Sequence, residues 1–206
     1  MLKIQLQEVS KRFQYEWIFK NLNLTIPSGS SLAITGGNGS GKSTLLKCLS
    51  GVVPITSGKI FFLRDQGEIS DSEKYKHLSI SAPYLELPEE FTLQEVIDFH
   101  FKFKKPLGNI SSHEILDILY LKDHAQKQVS QFSSGMKQRL KLGLALFSDV
   151  PLILLDEPTS NLDKNGVAWY LDLIQKYQRN RTLVICSNEP REYEFCQQSL
   201  SIEDYK

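Results

Sequence analysis

The chain has 206 residues, of which 24 are Lys or Arg, 24 are Asp or Glu and 41% are hydrophobic. This length and composition predict one globular domain with a continuous core, and they exclude a disordered or collagen-like chain. The formal net charge of +0 gives no overall attraction to nucleic acid or to an anionic membrane. The longest aliphatic run, residues 152–155, is far shorter than the roughly 20 residues that span a membrane, and the N-terminus lacks a signal-peptide pattern. We therefore expect a protein that is neither integral to a membrane nor secreted.

The chain has three cysteines, and their spacing does not indicate that they pair with one another. Cys48, Cys186 and Cys196 lack CxxC spacing and lie in apolar surroundings, which is typical of buried free thiols in a reducing cytoplasm. No histidine is paired with a cysteine or carboxylate at the spacing of a zinc site, so the sequence disfavours zinc binding.

Hydrophobic periodicity predicts an α/β fold. Residues 4–7 and 22–26 alternate apolar with polar side chains, which indicates two half-buried strands that pair antiparallel near the N-terminus. Short apolar runs separated by helical patterns indicate buried parallel strands. These runs are residues 32–35, 78–82, 152–156 and 183–186.

A glycine-rich segment follows the strand predicted at residues 32–35. Residues 36–43 match the pattern GxxxxGK[ST], and a helical stretch at 45–50 comes next. In this context the backbone N–H groups of residues 38–44 surround a polyphosphate at a helix N-terminus. Lys42 is expected to contact the β and γ phosphates, and the Ser43 hydroxyl to bind Mg²⁺. The candidate nucleotide-binding residues are Gly36, Asn38, Gly39, Ser40, Gly41, Lys42, Ser43 and Thr44.

The segment from about residue 86 to residue 150 shows no convincing strand. Thr92 with Glu95 and Ser111 with Glu114 form two capping boxes that predict two helix starts. Phenylalanines at 99, 101 and 103 alternate with lysines at 102, 104 and 105, which could suggest a nucleic-acid stacking platform. Because the chain has no basic excess, we favour a helix with an aromatic face that packs in the core or lines a groove.

Two carboxylates end the strand predicted at residues 152–156. In a nucleotide-binding sheet this edge faces the ligand. Asp156 is expected to hold Mg²⁺, and Glu157 to polarise the water that attacks the γ phosphate. An acidic turn without function is the alternative, but it is disfavoured by the glycine-rich loop upstream.

The segment 133–139, Ser-Ser-Gly-Met-Lys-Gln-Arg, precedes a helix with Leu140, Leu144 and Phe147 on one face. Three further motifs accompany this segment: the glycine loop, the Asp-Glu-Pro-Thr strand end and Ser160-Asn161-Leu162-Asp163. Through these motifs the chain resembles the ATP-binding subunit of ABC transporters over nearly its whole length. The segment replaces the family's LSGGQ, and its residues 136–139 look most like those of the exporter branches, while the short length of the chain resembles haem-exporter-type ATPases. The resemblance implies a mixed sheet, an N-terminal antiparallel region and an inserted helical subdomain at about 84–150, with residues 1–83 and 151–206 as the ATP-binding core.

Further roles are implied by the same resemblance. Phe13 takes the position of the aromatic residue that stacks on adenine; a core phenylalanine is the alternative. Tyr84 replaces the Q-loop glutamine, unless the alignment slips and Glu86 contributes instead, and Asn188 replaces the switch histidine. The other implied nucleotide-binding residues are Ser133, Ser134, Gly135, Met136 and Asp163, and the implied catalytic residues are Glu157, Lys42 and Asn188.

The resemblance implies binding and hydrolysis of ATP with Mg²⁺ by a sandwich of two subunits, identical or different. Hydrolysis would power transport through a separate membrane-spanning subunit, at the cytoplasmic face of the membrane and without nucleic acid. A soluble regulatory ATPase with weak or no turnover is the alternative, motivated by Tyr84 and Asn188. DNA-maintenance and translation members of the family differ in length and in the number of ATPase units. Cargo and direction of transport are not encoded in these motifs.

Overall fold

The computed structural model describes residues 2–65 and 67–206 and contains an ordered alternation of strands and helices. The strands are β1 Lys3–Phe13, β2 Glu16–Ile26, β3 Ser31–Thr35, β4 Ser57–Arg64, β5 Gly67–Glu68, β6 Leu78–Ser81, β7 Leu152–Asp156, β8 Thr182–Cys186 and β9 Gln198–Ser201. The α-helices are α1 Lys42–Ser50, α2 Leu93–Phe103, α3 Ser112–Ile118, α4 Ser134–Leu146, α5 Lys164–Tyr177 and α6 Pro190–Tyr193.

The strands form two sheets. An antiparallel sheet has the order β2-β1-β4-β5, and a parallel sheet has the order β6-β7-β8-β3-β9. The predicted α/β fold with an N-terminal antiparallel region is therefore confirmed. Parallel and antiparallel strands are divided between these two sheets instead of sharing one mixed sheet, because the parallel strands are connected by helical crossovers whereas β1 and β2 are joined by a tight turn.

The parallel sheet lies between two apolar layers. Leu152 and Leu154 of β7 pack in a cluster with α1 and the antiparallel sheet. Ile153 and Leu155, which point to the opposite face, pack in a cluster with α2, α3, α4 and α5. Burial on both faces explains why β7 and β8 read as continuous apolar runs.

The segment between β6 and β7 contains α2, α3, α4 and short 3₁₀ turns, and no strand among its residues, all of which the structure describes. Both predicted capping boxes are present, at Thr92 and Ser111. The predicted apolar face of α4 is buried at Leu140, Leu144 and Phe147. The inserted helical region is therefore confirmed, while its exact limits at residues 84 and 150 stay a prediction.

Phe99 and Phe103 lie on α2 as the helical interpretation predicts, but they are not in the core. Both rings are exposed, and they form a chain of edge-to-face contacts with Phe91, with ring centroids 5.1 and 5.9 Å apart.

Candidate nucleotide site at the carboxyl edge of the parallel sheet

The glycine-rich loop joins the end of β3 to the start of α1 and needs glycine at two tightly packed positions. Gly41 has φ +110°, and a Cβ there would lie 2.6 Å from Cγ2 of Ile18. Gly36 has φ +140°, and its Cβ would lie 2.7 Å from Oγ of Ser40. Both backbone conformation and close packing therefore exclude larger residues. The loop surrounds a cavity of about 220 Å³ lined by Ile18, residues 38–44 and Glu157.

Lys42 is buried at the first position of α1, and its side chain extends back to the start of the loop. Its Nζ donates hydrogen bonds to the carbonyl oxygens of Gly36 at 2.8 Å and Gly37 at 3.0 Å. These two carbonyls hold the ammonium group at the mouth of the cavity that the loop N–H groups surround. A fixed cation beside backbone donors forms a strong site for an anion.

Asp156 lies at the end of β7 with 1% of its surface exposed, and neither of its carboxylate oxygens accepts a hydrogen bond of normal geometry, although the Ser43 hydroxyl lies close by. Burial raises its pKa, while the nearby Ser43 hydroxyl and the positive charges of Lys42 and Lys47 oppose the shift. A buried, unpartnered carboxylate is unfavourable unless a cation compensates it. Carboxylate and hydroxyl oxygens are the ligands that Mg²⁺ prefers, so Asp156 and Ser43 fit this ion.

Glu157 follows directly and has left-handed backbone geometry, with φ +44°. Its N–H donates to the carbonyl of Cys186 on the adjacent strand β8 at 2.9 Å. This turn directs the residue out of the strand and onto the same cavity as the loop residues. A carboxylate at that position is able to accept a proton from a water beside a bound phosphate.

Asn188 lies beside the loop, where the alignment of the switch position predicts it. Its Nδ2 donates to Oδ1 of Asn38 at 3.2 Å. Asn188, Asn38 and Glu157 together line a second cavity of about 300 Å³. The amide of Asn188 is therefore within reach of a group bound between the loop and Glu157.

Tyr84, in the loop after β6, lies near Asp156 but does not line the loop cavity. Its ring lies under Nζ of Lys47, 3.8 Å from the ring centroid. Its pKa is raised by burial and by the negative charge of Asp156. Glu86, the alternative considered for this position, lines a different groove, together with Phe99 and Phe103.

Other predicted site residues lie outside the loop cavity. Ser133 caps α4, accepting a hydrogen bond from the N–H of Met136 at 3.3 Å, and Ser133 and Ser134 are exposed. Gly135 faces the segment after β7, since a Cβ there would lie 3.1 Å from the carbonyl oxygen of Asn161. Asp163 caps α5, accepting from the N–H of Gly166 at 2.7 Å.

Phe13 lies at the end of β1 and is 48% exposed, so it is not a core residue. Nζ of Lys11 stands 4.5 Å from its ring centroid. Phe13 pairs with Glu16 of β2 and does not line the loop cavity, so its contact with adenine stays a prediction.

Three contributors were not predicted from the sequence. Ile18 packs on Gly41, Lys47 stacks on Tyr84, and Glu203 accepts the N–H of Gly37 at 2.9 Å. Each contact joins segments that are distant along the chain, so no local motif indicates it. The only sequence signal for any of these contacts is Lys47, a lysine about one turn into the helix that follows the loop, and this signal is weak.

The fold, the loop with its buried lysine, and the unpartnered Asp156 beside Glu157 define the class of phosphate-loop ATPases. Comparison with known proteins identifies the family. The sequence pattern of the ABC transporter family matches residues 19–160, more than half of the chain. The chain therefore belongs to the ABC transporter family, as an ATP-binding and ATP-hydrolysing protein.

Individual relatives agree with this assignment. The chain is 33% identical over 198 residues to the lantibiotic transport ATP-binding protein SrtF of Streptococcus pyogenes, covering 91% of this chain and 80% of SrtF. It is 30% identical over 187 residues to the uncharacterized ABC transporter ATP-binding protein YcbN of Bacillus subtilis, covering 90% of this chain but only 61% of YcbN. Among solved structures, dimeric MJ0796, a bacterial ABC transporter cassette, matches with a TM-score of 0.80 and 26% identity over 97% of this chain and 95% of that one.

Within the described residues, 2–65 and 67–206, each helix is too short or too polar to cross a membrane.

Proposed function

We propose that this chain binds ATP with Mg²⁺ in the loop cavity and hydrolyses it to drive transport through a separate membrane-spanning subunit. The observation that carries the proposal is the buried Asp156 carboxylate, which accepts no hydrogen bond of normal geometry and has the Ser43 hydroxyl beside it. Asp156 and Ser43 would hold Mg²⁺, which when bound neutralises charge on the phosphates. A glycine turn that only caps a helix would not require such a carboxylate.

The chain's own residues would divide the remaining work. Lys42 and the N–H groups of residues 38–44 orient the phosphates, and Glu157 accepts a proton from the attacking water. Asn188, whose amide is hydrogen-bonded to Asn38, would donate a neutral hydrogen bond to a phosphate oxygen, and Tyr84 lies near Asp156. Because Glu157 lines the same cavity as Lys42, we favour turnover over a purely regulatory role.

We further propose that two subunits complete the site. Ser133, Ser134, Gly135 and Met136 form the N-terminus of α4, which carries partial positive charge from the helix dipole, and the two serines are exposed. These residues do not line the loop cavity of their own chain. They are therefore available to contact the γ phosphate held by a second subunit, and Asp163, which is also exposed, is proposed to contribute to the same contact.

The membrane-spanning partner is proposed to dock in a groove between α2, α4 and the loop after β6. This groove encloses about 480 Å³, and the exposed rings of Phe91, Phe99 and Phe103 lie beside or within it. An exposed apolar surface of this kind is typical of an interaction site. Docking there would hold the chain at the cytoplasmic face of the membrane.

The catalytic part is tested with Glu157→Gln. We expect ATP binding to persist while hydrolysis slows by about 10² to 10⁴, so that ATP with Mg²⁺ holds two chains together in size-exclusion chromatography with light scattering. Glu194→Gln, at an exposed position, is the matched control and should hydrolyse ATP like the wild type. A Glu157→Gln variant that stays monomeric and hydrolyses at the wild-type rate would contradict both roles.

The docking part is tested with Phe103→Asp, since the Phe103 side chain is 75% exposed. We expect this variant to move from the membrane fraction to the soluble fraction of producing cells, with unchanged ATPase activity of the purified chain. Tyr15→Asp, at a position that is 95% exposed in the β1–β2 turn, is the control. Equal membrane fractions for both variants would exclude the groove as the docking site.

A further inference from the structure

The C-terminal turn supports the phosphate-binding loop from outside the cavity. Strand β9 runs parallel to β3, and the 3₁₀ turn Ile202–Tyr205 follows it directly. Ile202 is fully buried. A Cβ on Gly36 would lie 3.0 Å from its Cγ2, and one on Gly41 would lie 3.8 Å from its Cγ1. Ile202 of this turn therefore packs against both ends of the loop, at Gly36 and at Gly41.

Glu203, the next residue, adds a polar contact between the C-terminal turn and the loop. Its Oε1 accepts a hydrogen bond from the N–H of Gly37 at 2.9 Å. That N–H belongs to the peptide unit joining Gly36 to Gly37. Because a trans peptide is planar, the N–H and the C=O of this unit point in opposite directions.

The opposite side of the same peptide is bonded to Lys42. Nζ of Lys42 donates to the Gly36 oxygen at 2.8 Å. One rigid peptide unit therefore links the Glu203 carboxylate to the Lys42 ammonium group. Hydrogen bonds in such a chain polarise one another, and a charged acceptor strengthens them.

We propose that Glu203 is a positioning residue for Lys42, acting through the Gly36–Gly37 peptide. By fixing the orientation of this peptide, Glu203 holds the Gly36 carbonyl where it retains the lysine at the mouth of the cavity. Without Glu203 the peptide loses the restraint on its N–H side, and Lys42 is held less firmly before nucleotide binds. The inference rests on the proposed role of Lys42 in phosphate binding.

The carboxylate has two effects of opposite sign on nucleotide binding. Its hydrogen bond preorganises the loop and favours binding, whereas its negative charge repels a polyphosphate. Glu203 is exposed, so water and salt screen the repulsion. The hydrogen bond is therefore expected to dominate.

Glu203→Ala and Glu203→Gln separate these effects, because glutamine keeps an acceptor oxygen and removes the charge. We expect Glu203→Ala to raise KM for ATP about three- to tenfold, with kcat within about twofold of the wild type. Glu203→Gln should restore KM to less than about twice the wild-type value. Asp204→Ala, which removes the same charge from the exposed adjacent residue, should leave both constants unchanged.

The readouts are steady-state phosphate release and calorimetric ATP binding, with circular dichroism to verify folding. An unchanged KM in Glu203→Ala, or an equal rise of KM in Glu203→Ala and Glu203→Gln, would overturn the positioning role. A loss of kcat and stability without a change in ATP affinity would indicate a merely structural role and would also overturn it. Lys42→Ala is measured in parallel: if it binds ATP like the wild type, the proposed function fails, whatever Glu203 does.

Discussion

Replacing Asp156 by Asn should stabilise the chain in the absence of nucleotide and abolish its response to Mg²⁺ with ATP. The Asp156 side chain is buried, and neither oxygen accepts a hydrogen bond of normal geometry. Burial outweighs the nearby Ser43 hydroxyl and the charges of Lys42 and Lys47, since the pKa of Asp156 is raised. An unsatisfied buried group costs about 1–3 kcal/mol, more when it is charged. Asparagine has nearly the same shape but carries no charge, so we expect the free energy of unfolding to rise by about 1 kcal/mol or more.

The sign of the pH dependence follows from the raised pKa of Asp156. Between the unfolded pKa and the raised folded pKa, the folded chain binds more protons than the unfolded chain. The corresponding stability is fully present below the unfolded pKa and is lost as the pH rises through the folded pKa. The advantage of Asp156→Asn over the wild type should therefore be largest at neutral pH and shrink in acid.

Thermal unfolding with and without ATP and Mg²⁺ measures both effects. For a domain of this size, 1 kcal/mol shifts Tm by about 2–4 °C. Wild-type protein should gain a further ~2.7 kcal/mol at a ligand concentration of 100 times Kd, whereas Asp156→Asn should gain little. Asp123→Asn, at an exposed position, controls for the general effect of removing a negative charge. An Asp156→Asn variant that is less stable than the wild type without ligand would refute the reasoning.

Further predictions concern Gly41 of the loop, Asn188 and the contact between Tyr84 and Lys47. Gly41→Ala should cost about 2–6 kcal/mol in urea denaturation, from backbone strain at φ +110° and a Cβ 2.6 Å from an Ile18 carbon. Gly51→Ala, with φ +78° and no atom within 4 Å of the Cβ, should cost only about 1–2 kcal/mol; equal costs would exclude the clash. Asn188→His should raise kcat, and Asn188→Ala should lower it, because a cationic donor binds phosphate more strongly than a neutral one; equal phosphate-release rates would mean that this residue does not reach the γ phosphate. Tyr84→Gln and Lys47→Ala should show a coupling of about 0.5–2 kcal/mol in a double-mutant cycle of unfolding free energies, and additive changes would contradict the cation–π contact.

Local motifs predicted most of what lies within one short segment. The glycine loop, the capping boxes at Thr92 and Ser111, and the strand that ends at Asp156 each follow from neighbouring residues. Such features depend on backbone geometry over a single turn, which a few residues determine. For that reason the sequence located them without knowledge of the rest of the fold.

Strand β1 shows why other elements were harder to predict. Its alternation of apolar and polar residues ends near Gln7, yet the strand continues to Phe13. Glu8 adopts φ +49°, and the pairing register with β2 shifts between Leu6 and Val9. A bulge of this kind reverses the side-chain alternation, so periodicity could not follow the strand beyond it.

The partner strand β4 was missed for a related reason. Its run of Ile60, Phe61, Phe62 and Leu63 does not alternate, and only Phe62 is fully buried. Gly58 lies opposite the bulge, where a Cβ would be 2.4 Å from the Glu8 carbonyl oxygen. This requirement for glycine depends on a contact between segments 50 residues apart, which no local pattern encodes.

Of the two departures implied by the family resemblance, only Asn188 removes a potential positive charge, because histidine is able to become cationic whereas glutamine is neutral, as Tyr84 is. Asn188 is hydrogen-bonded to Asn38 of the loop. Under the proposed function, neutralising a triphosphate would then depend on Lys42, on Mg²⁺ held by Asp156 and Ser43, and on the α4 N-terminus of a second subunit. Because the last of these is absent from a single chain, turnover by the monomer should be low and should rise with protein concentration as two chains associate.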